Sequence, residues 1–130
     1  MIALDTNILA RYLLNDTPAQ TKITERVLSG PETCTAPITV VLELVWVLES
    51  CECERGEIAK ALRLLCGLEY FKPQQFDALV RALHWYEEGM DFGDAVHLAL
   101  SENEAAFRTF DKALVRLGRG LETHPAVEHP

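Results

Sequence analysis

The chain has 130 residues, 48% of them apolar and 25% charged, with a net charge of −8. A single domain is expected at this length, burying roughly two-thirds of its unfolded surface, and the apolar share excludes a disordered or fibrous design. The acidic balance excludes a generic nucleic-acid coat, which carries a basic surface. Nothing at Met1-Ile2-Ala3-Leu4-Asp5 resembles a signal peptide. The apolar run Ile38 to Leu48 is too short to span a bilayer and is broken by Glu43. A cytoplasmic protein follows, with Cys34, Cys51, Cys53 and Cys66 as free thiols. Cys51-Glu52-Cys53 lacks the second Cys/His pair that a zinc site would need.

In chain order, a short buried strand over Ile2–Leu4 ends at Asp5, and a helix follows through Ile8, Leu9, Tyr12 and Leu13. Thr17-Pro18 starts a second helix toward Val27-Leu28, ended by Gly30-Pro31. Thr33 to Ala36 reads as a strand, and Pro37 leads into a helix that carries Glu43 to about Ser50. After a turn over Glu52 to Gly56, Ile58, Ala61, Leu62, Leu65 and Cys66 mark an amphipathic helix stopped at Gly67. Leu68 to Phe71 is a short strand. Phe76, Leu79, Val80, Leu83 and Tyr86 line one face of the next helix, which Gly89 stops.

Asp91 to Asp94 launch an apolar helix that ends near Asn103. Ala105 to Phe110 form a strand, Lys112 to Leu117 a last helix and Leu121 to Thr123 an edge strand, leaving residues 125–130 as a flexible tail to a single domain over 1–124. Strands alternating with helices imply an α/β fold with a mainly parallel sheet, where ligands gather outside the carboxyl ends of the strands.

Four acids stand out against this frame. Asp5 closes Ile2-Ala3-Leu4, Glu43 is the one polar residue in Val40 to Leu48, Asp94 opens Asp94-Ala95-Val96-His97-Leu98-Ala99, and Asp111 follows Phe107-Arg108-Thr109-Phe110. An unpaired carboxylate beside apolar residues protonates, finds a cation or holds a metal. Four brought together would repel, each close pair by about 4 kcal/mol at an effective dielectric near 20. An oxygen-lined site suits Mg²⁺ or Mn²⁺.

Simpler roles exist for most of these residues. Asp5, Asp94 and Asp111 stand at helix starts, where Asp is a favoured cap, and one carboxylate oxygen can cap while the other faces metal. Glu43 has apolar neighbours on every side of its helix; its alternative is an arginine partner. Asp91 is a helix cap or outer-shell acid. Thr6, Asn7 and Thr109 hold waters and orient carboxylates, or bond to nearby backbone. His97 reads as a packed core histidine. Trp46, Trp85 and Tyr86 read as core or interface rather than base-stacking residues. Arg108, Lys112, Arg116 and Arg119 face Asp111 alone, a local balance of 4 − 1 = +3, either gripping RNA phosphates or simply solvated.

Asp5-Thr6-Asn7, Val41-Leu42-Glu43-Leu44, Asp94-Ala95-Val96-His97-Leu98-Ala99 and Thr109-Phe110-Asp111-Lys112 together resemble the PIN-domain family, and within it the VapC-type toxins of prokaryotic toxin–antitoxin pairs. The resemblance implies a metal-dependent endoribonuclease on a three-layer α/β/α sandwich. Asp5, Glu43, Asp94 and Asp111 would hold one or two Mg²⁺ or Mn²⁺ ions, with Thr6, Asn7, Asp91 and Thr109 behind them. Arg108, Lys112 and Arg116 would contact the phosphates of the RNA substrate. It further implies a homodimer and a cognate antitoxin, received by an apolar groove along the helices from Ile8 to Leu28 or along Ile58 to Leu65. Arg108 departs from the family's apolar strand before the last Asp; were that strand an edge or bulged, Asp111 would sit slightly away from the metal and three acids would do most of the binding. The alternatives are a non-catalytic PIN-like module that binds RNA or protein, and a housekeeping RNA-processing nuclease without an antitoxin. A receiver-like or phosphatase site fits less well, because Asp5-Thr6-Asn7 supplies no second acid beside Asp5.

Overall fold

A computed structural model describes residues 1–130. The chain divides into two compact units, Met1–Phe76 and Asp77–Pro130, where the sequence leads to one domain and a tail.

In the first unit, β1 (Ile2–Ala3) pairs in parallel with β2 (Cys34–Thr35), Ile2 opposite Cys34 and Ala3 opposite Thr35. Phe71 bridges Cys34 from the other side, also in parallel, so the strand expected over Leu68–Phe71 is reduced to one residue. Between the strands run α1 (Thr6–Leu14) and α2 (Pro18–Leu28); α3 (Ile38–Ser50) and α4 (Arg55–Cys66) follow. Leu9 and Ala10 are the buried apolar residues of α1, and Asn15 ends it in the left-handed conformation that Asn tolerates. Pro18 opens α2 at the position where its missing N–H costs nothing. A capping box between Glu54 and Glu57 starts α4. Val41, Leu44, Leu48, Ile58, Leu62, Leu65 and Phe71 build the core of this unit. At Gly30, φ is +87° and a Cβ would lie 2.7 Å from the Tyr70 ring, so only glycine fits. β1 is not the buried strand its composition suggests: Ile2 is 48% exposed, and only Leu4 after it is buried.

In the second unit, α5 (Phe76–Glu87) begins one residue before the division, and α6 (Phe92–Leu100), β3 (Phe107–Arg108), α7 (Lys112–Gly120) and β4 (Val127–Glu128) follow. Leu79, Leu83, Trp85, Tyr86, Met90, Phe92, Leu98, Leu114 and Val127 are buried. Tyr86 meets Phe92 edge to face at 5.5 Å. β3 and β4 pair in parallel, with Phe107 opposite Val127 and Arg108 opposite Glu128.

Several expectations need correction here. The stretch read as a flexible tail contributes β4, and Val127 is 3% exposed. Leu121–Thr123, read as an edge strand, is a turn that follows α7. The Asp91-led helix stops at Leu100 rather than near Asn103, and the last helix runs three residues past Leu117. All four cysteines are free.

Candidate active site

Asp5 lies two residues after β1 and is the N-cap of α1: the Thr6 N–H donates to Asp5 Oδ1 at 2.7 Å. Asp111 lies three residues after β3 and is the N-cap of α7, with the Leu114 N–H donating to its Oδ1 at 3.1 Å. In both, the second carboxylate oxygen is left for another partner. Thr109 contributes from the backbone side, its hydroxyl accepting the Asp111 N–H at 3.0 Å. Both acids therefore stand at carboxyl ends of parallel strands, where an α/β protein presents its ligand-binding groups.

Asp94 is not a cap. Asp91 takes that place on α6 and accepts the Asp94 N–H at 3.1 Å, which leaves Asp94 in the first turn with no donor on its own carboxylate. The half-buried Asp94 carboxyl is raised above the ordinary range, first by burial and then by the negative charges of Asp91 and Asp111, while His97 pulls it down. Asp91 and Asp111 thus each lie within electrostatic range of Asp94. His97 itself is exposed, not packed in the core: Ala95, Val96, Leu98 and Ala99 take the buried face of α6, and His97 falls on the other.

Glu43 corrects a second expectation. It is not enclosed by apolar neighbours but exposed, on a face of α3 with Thr39, Trp46 and Ser50, while Val41, Leu44, Val45 and Leu48 face the core. Trp46 is 75% exposed and so lies outside the core, whereas Trp85 and Tyr86 are buried as expected. Thr6 is 3% exposed and its hydroxyl has no hydrogen-bond partner; Asn7 is exposed. None of Asp5, Glu43, Asp94 and Asp111 is in a salt bridge; Arg11 pairs with Asp16, Arg81 with Glu102 and Arg108 with Glu128.

The donor chemistry fits a hard divalent ion. Every candidate ligand is a carboxylate, at least one oxygen of each is uncommitted, and the buried Thr6 hydroxyl next to Asp5 is an orphan. No group of three or more His, Cys, Asp or Glu side chains is gathered tightly enough to hold an ion unaided. Mg²⁺ tolerates this, since it keeps several waters and binds through one or two carboxylates plus substrate phosphates rather than in all-protein cages.

Short parallel strands alternating with helices, with Asp5 and Asp111 following β1 and β3, are the features of an α/β protein. The family model of the PIN domain matches residues 2–120, and the chain belongs to the PIN domain family. No curated protein and no solved structure matches it. PIN domains are generally metal-dependent nuclease modules acting on RNA. No helix is long and apolar enough to cross a membrane.

Proposed function

We propose that the protein is a Mg²⁺- or Mn²⁺-dependent endoribonuclease and the toxin of a prokaryotic toxin–antitoxin pair, on a three-layer α/β/α sandwich. The reading is supported by the PIN domain match over residues 2–120 together with four acids, Asp5, Glu43, Asp94 and Asp111, none of which is in a salt bridge. Asp5, Glu43, Asp94 and Asp111 would hold the metal, which would supply Lewis-acid polarisation of a phosphoryl oxygen and a more acidic water. Asp5 and Asp111 each keep one oxygen on a helix N-terminus, which fixes the direction of the other. Asp91 holds the start of α6 and thereby positions Asp94; Thr109 does the same for Asp111. Thr6 and Asn7 retain water near Asp5. Hydrolysis leaves a 5′-phosphate and a 3′-hydroxyl.

The antitoxin docks on the first unit's helices, where Ile23 of α2 and Leu64 of α4 are large exposed apolar residues. The active species is a cytoplasmic homodimer.

RNA cleavage with Mg²⁺ or Mn²⁺, with and without chelator, tests the chemistry by comparing wild type with Asp94→Asn. Loss of cleavage in either the chelator or the variant, by at least about a hundredfold, is expected from removal of a group that acts on the transition state. Cleavage that survives both excludes the mechanism. Expression that arrests growth only in the absence of a partner encoded next to the gene separates a toxin from a housekeeping nuclease.

A further inference from the structure

The segment 108–119 carries four basic residues that sequence alone treats as one group. The structure sorts them. The Arg108 Nε donates to Glu128 Oε1 at 3.0 Å across the β3–β4 ladder, so its charge is already matched. Arg119 lies in the last turn of α7, where it lines a hollow of about 300 Å³ together with Glu122 and Glu128. Lys112 and Arg116 stand nearer the Asp111 end of the helix. They are exposed, four residues apart on one face of α7, and neither is in a salt bridge.

That placement works against the helix. Like charges at i and i+4 repel, α7 contains no acid to interleave with them, and a cation at the first helical position opposes the helix dipole. Among 20 acidic residues, none in α7 relieves the pair. A polyanion would relieve all three effects together. Lys112 also directly follows Asp111, whose direction the Leu114 N–H holds. One turn of helix, about 6 Å of rise, separates the two basic residues.

We propose that Lys112 and Arg116 form a two-phosphate grip on single-stranded RNA, which leads the strand along α7 from the Asp111 end, and that Arg108 and Arg119 take no part in it. The grip rests on the nuclease reading for its purpose, but its existence is measurable without catalysis.

The experiment is equilibrium binding of a fluorescent oligouridine to the full-length Asp94→Asn protein in chelator, across a series of KCl concentrations. For single strands the slope of log K against log salt is about −0.7 per phosphate neutralised. Lys112→Gln and Arg116→Gln should each make the slope about 0.7 less steep, and the double variant about 1.4, while Arg108→Gln and Arg119→Gln leave it as it was. Melting temperature serves as the folding control and should not fall in the Lys112 and Arg116 variants. Unchanged slopes in those two variants, or slopes that respond to Arg108 and Arg119 instead, overturn the grip. If wild type binds with this slope pattern yet never cuts RNA in Mg²⁺, the nuclease reading fails and the grip stands. If wild type cuts RNA and the slopes ignore Lys112 and Arg116, the reverse holds.

Discussion

Burial, followed by the charges of Asp91 and Asp111, raises the Asp94 carboxyl above its ordinary value, with His97 acting the other way. A raised acid is one whose ionised form the fold disfavours. Its penalty is absent below the unfolded value of 3.8, grows as pH rises through the raised folded value, and is complete at neutral pH. Asp94→Asn should therefore melt higher than wild type at pH 7 in chelator, and the gap should close as pH falls toward 3.8. Because the group is only partly buried, solvent screening keeps the gain small. Thermal melts across pH check it, and a variant that is less stable than wild type at pH 7 contradicts it. The residue thus costs stability for the sake of its charge, as functional carboxylates do.

Elements were legible where periodicity or capping chemistry speaks locally. The bounds of α3, opened by Pro37 and ended at Ser50, matched expectation because they depend on near neighbours. The bearing of Glu43 did not. In Val40 to Leu48 nearly every residue is apolar, so the pattern cannot say which face looks outward, and the exposed stripe with Trp46 is set by what α3 packs against. β4 was missed for a related reason: Val127-Glu128 has no strand pattern of its own and is ordered by pairing with β3. Gly118 shows how closely this last strand is held. A Cβ there would lie 2.6 Å from Val127 Cγ2 and 2.9 Å from Val127 Cβ. Gly118→Ala should cost about 1–3 kcal/mol in urea unfolding through overpacking, with part of it recovered in the double variant with Val127→Ala. A neutral Gly118→Ala would mean that β4 is not seated against α7 in solution.

At the scale of the whole molecule, the chain carries a net charge of −8, which a bound divalent ion would offset in part. An ion held by Asp5, Glu43, Asp94 and Asp111, as proposed, binds the folded chain and not the unfolded one. Mg²⁺ at ten times its dissociation constant then stabilises the fold by about 1.4 kcal/mol, equivalent to about 3–5 °C in melting temperature. The same concentration should shift Asp94→Asn far less, and chelator should return wild type to its starting value. Equal shifts in both proteins would place the ion elsewhere.

By itself the sequence determined the α/β class of fold and the family, and it singled out the candidate acids, because strand-end Asp residues, helix periods and motif order are written in near-neighbour chemistry. It also carried the caps: Asp5 and Asp111 do bond to the helix starts that follow them. Asp91, read as a cap or an outer-shell acid, likewise bonds to the Asp94 N–H three residues on. Only the tertiary structure decided that Glu43, Trp46 and His97 face outward, and that Arg108 is spent on Glu128. Each of these depends on a group distant in sequence or on which face a helix buries, and burial is a property of the packed chain rather than of any segment within it.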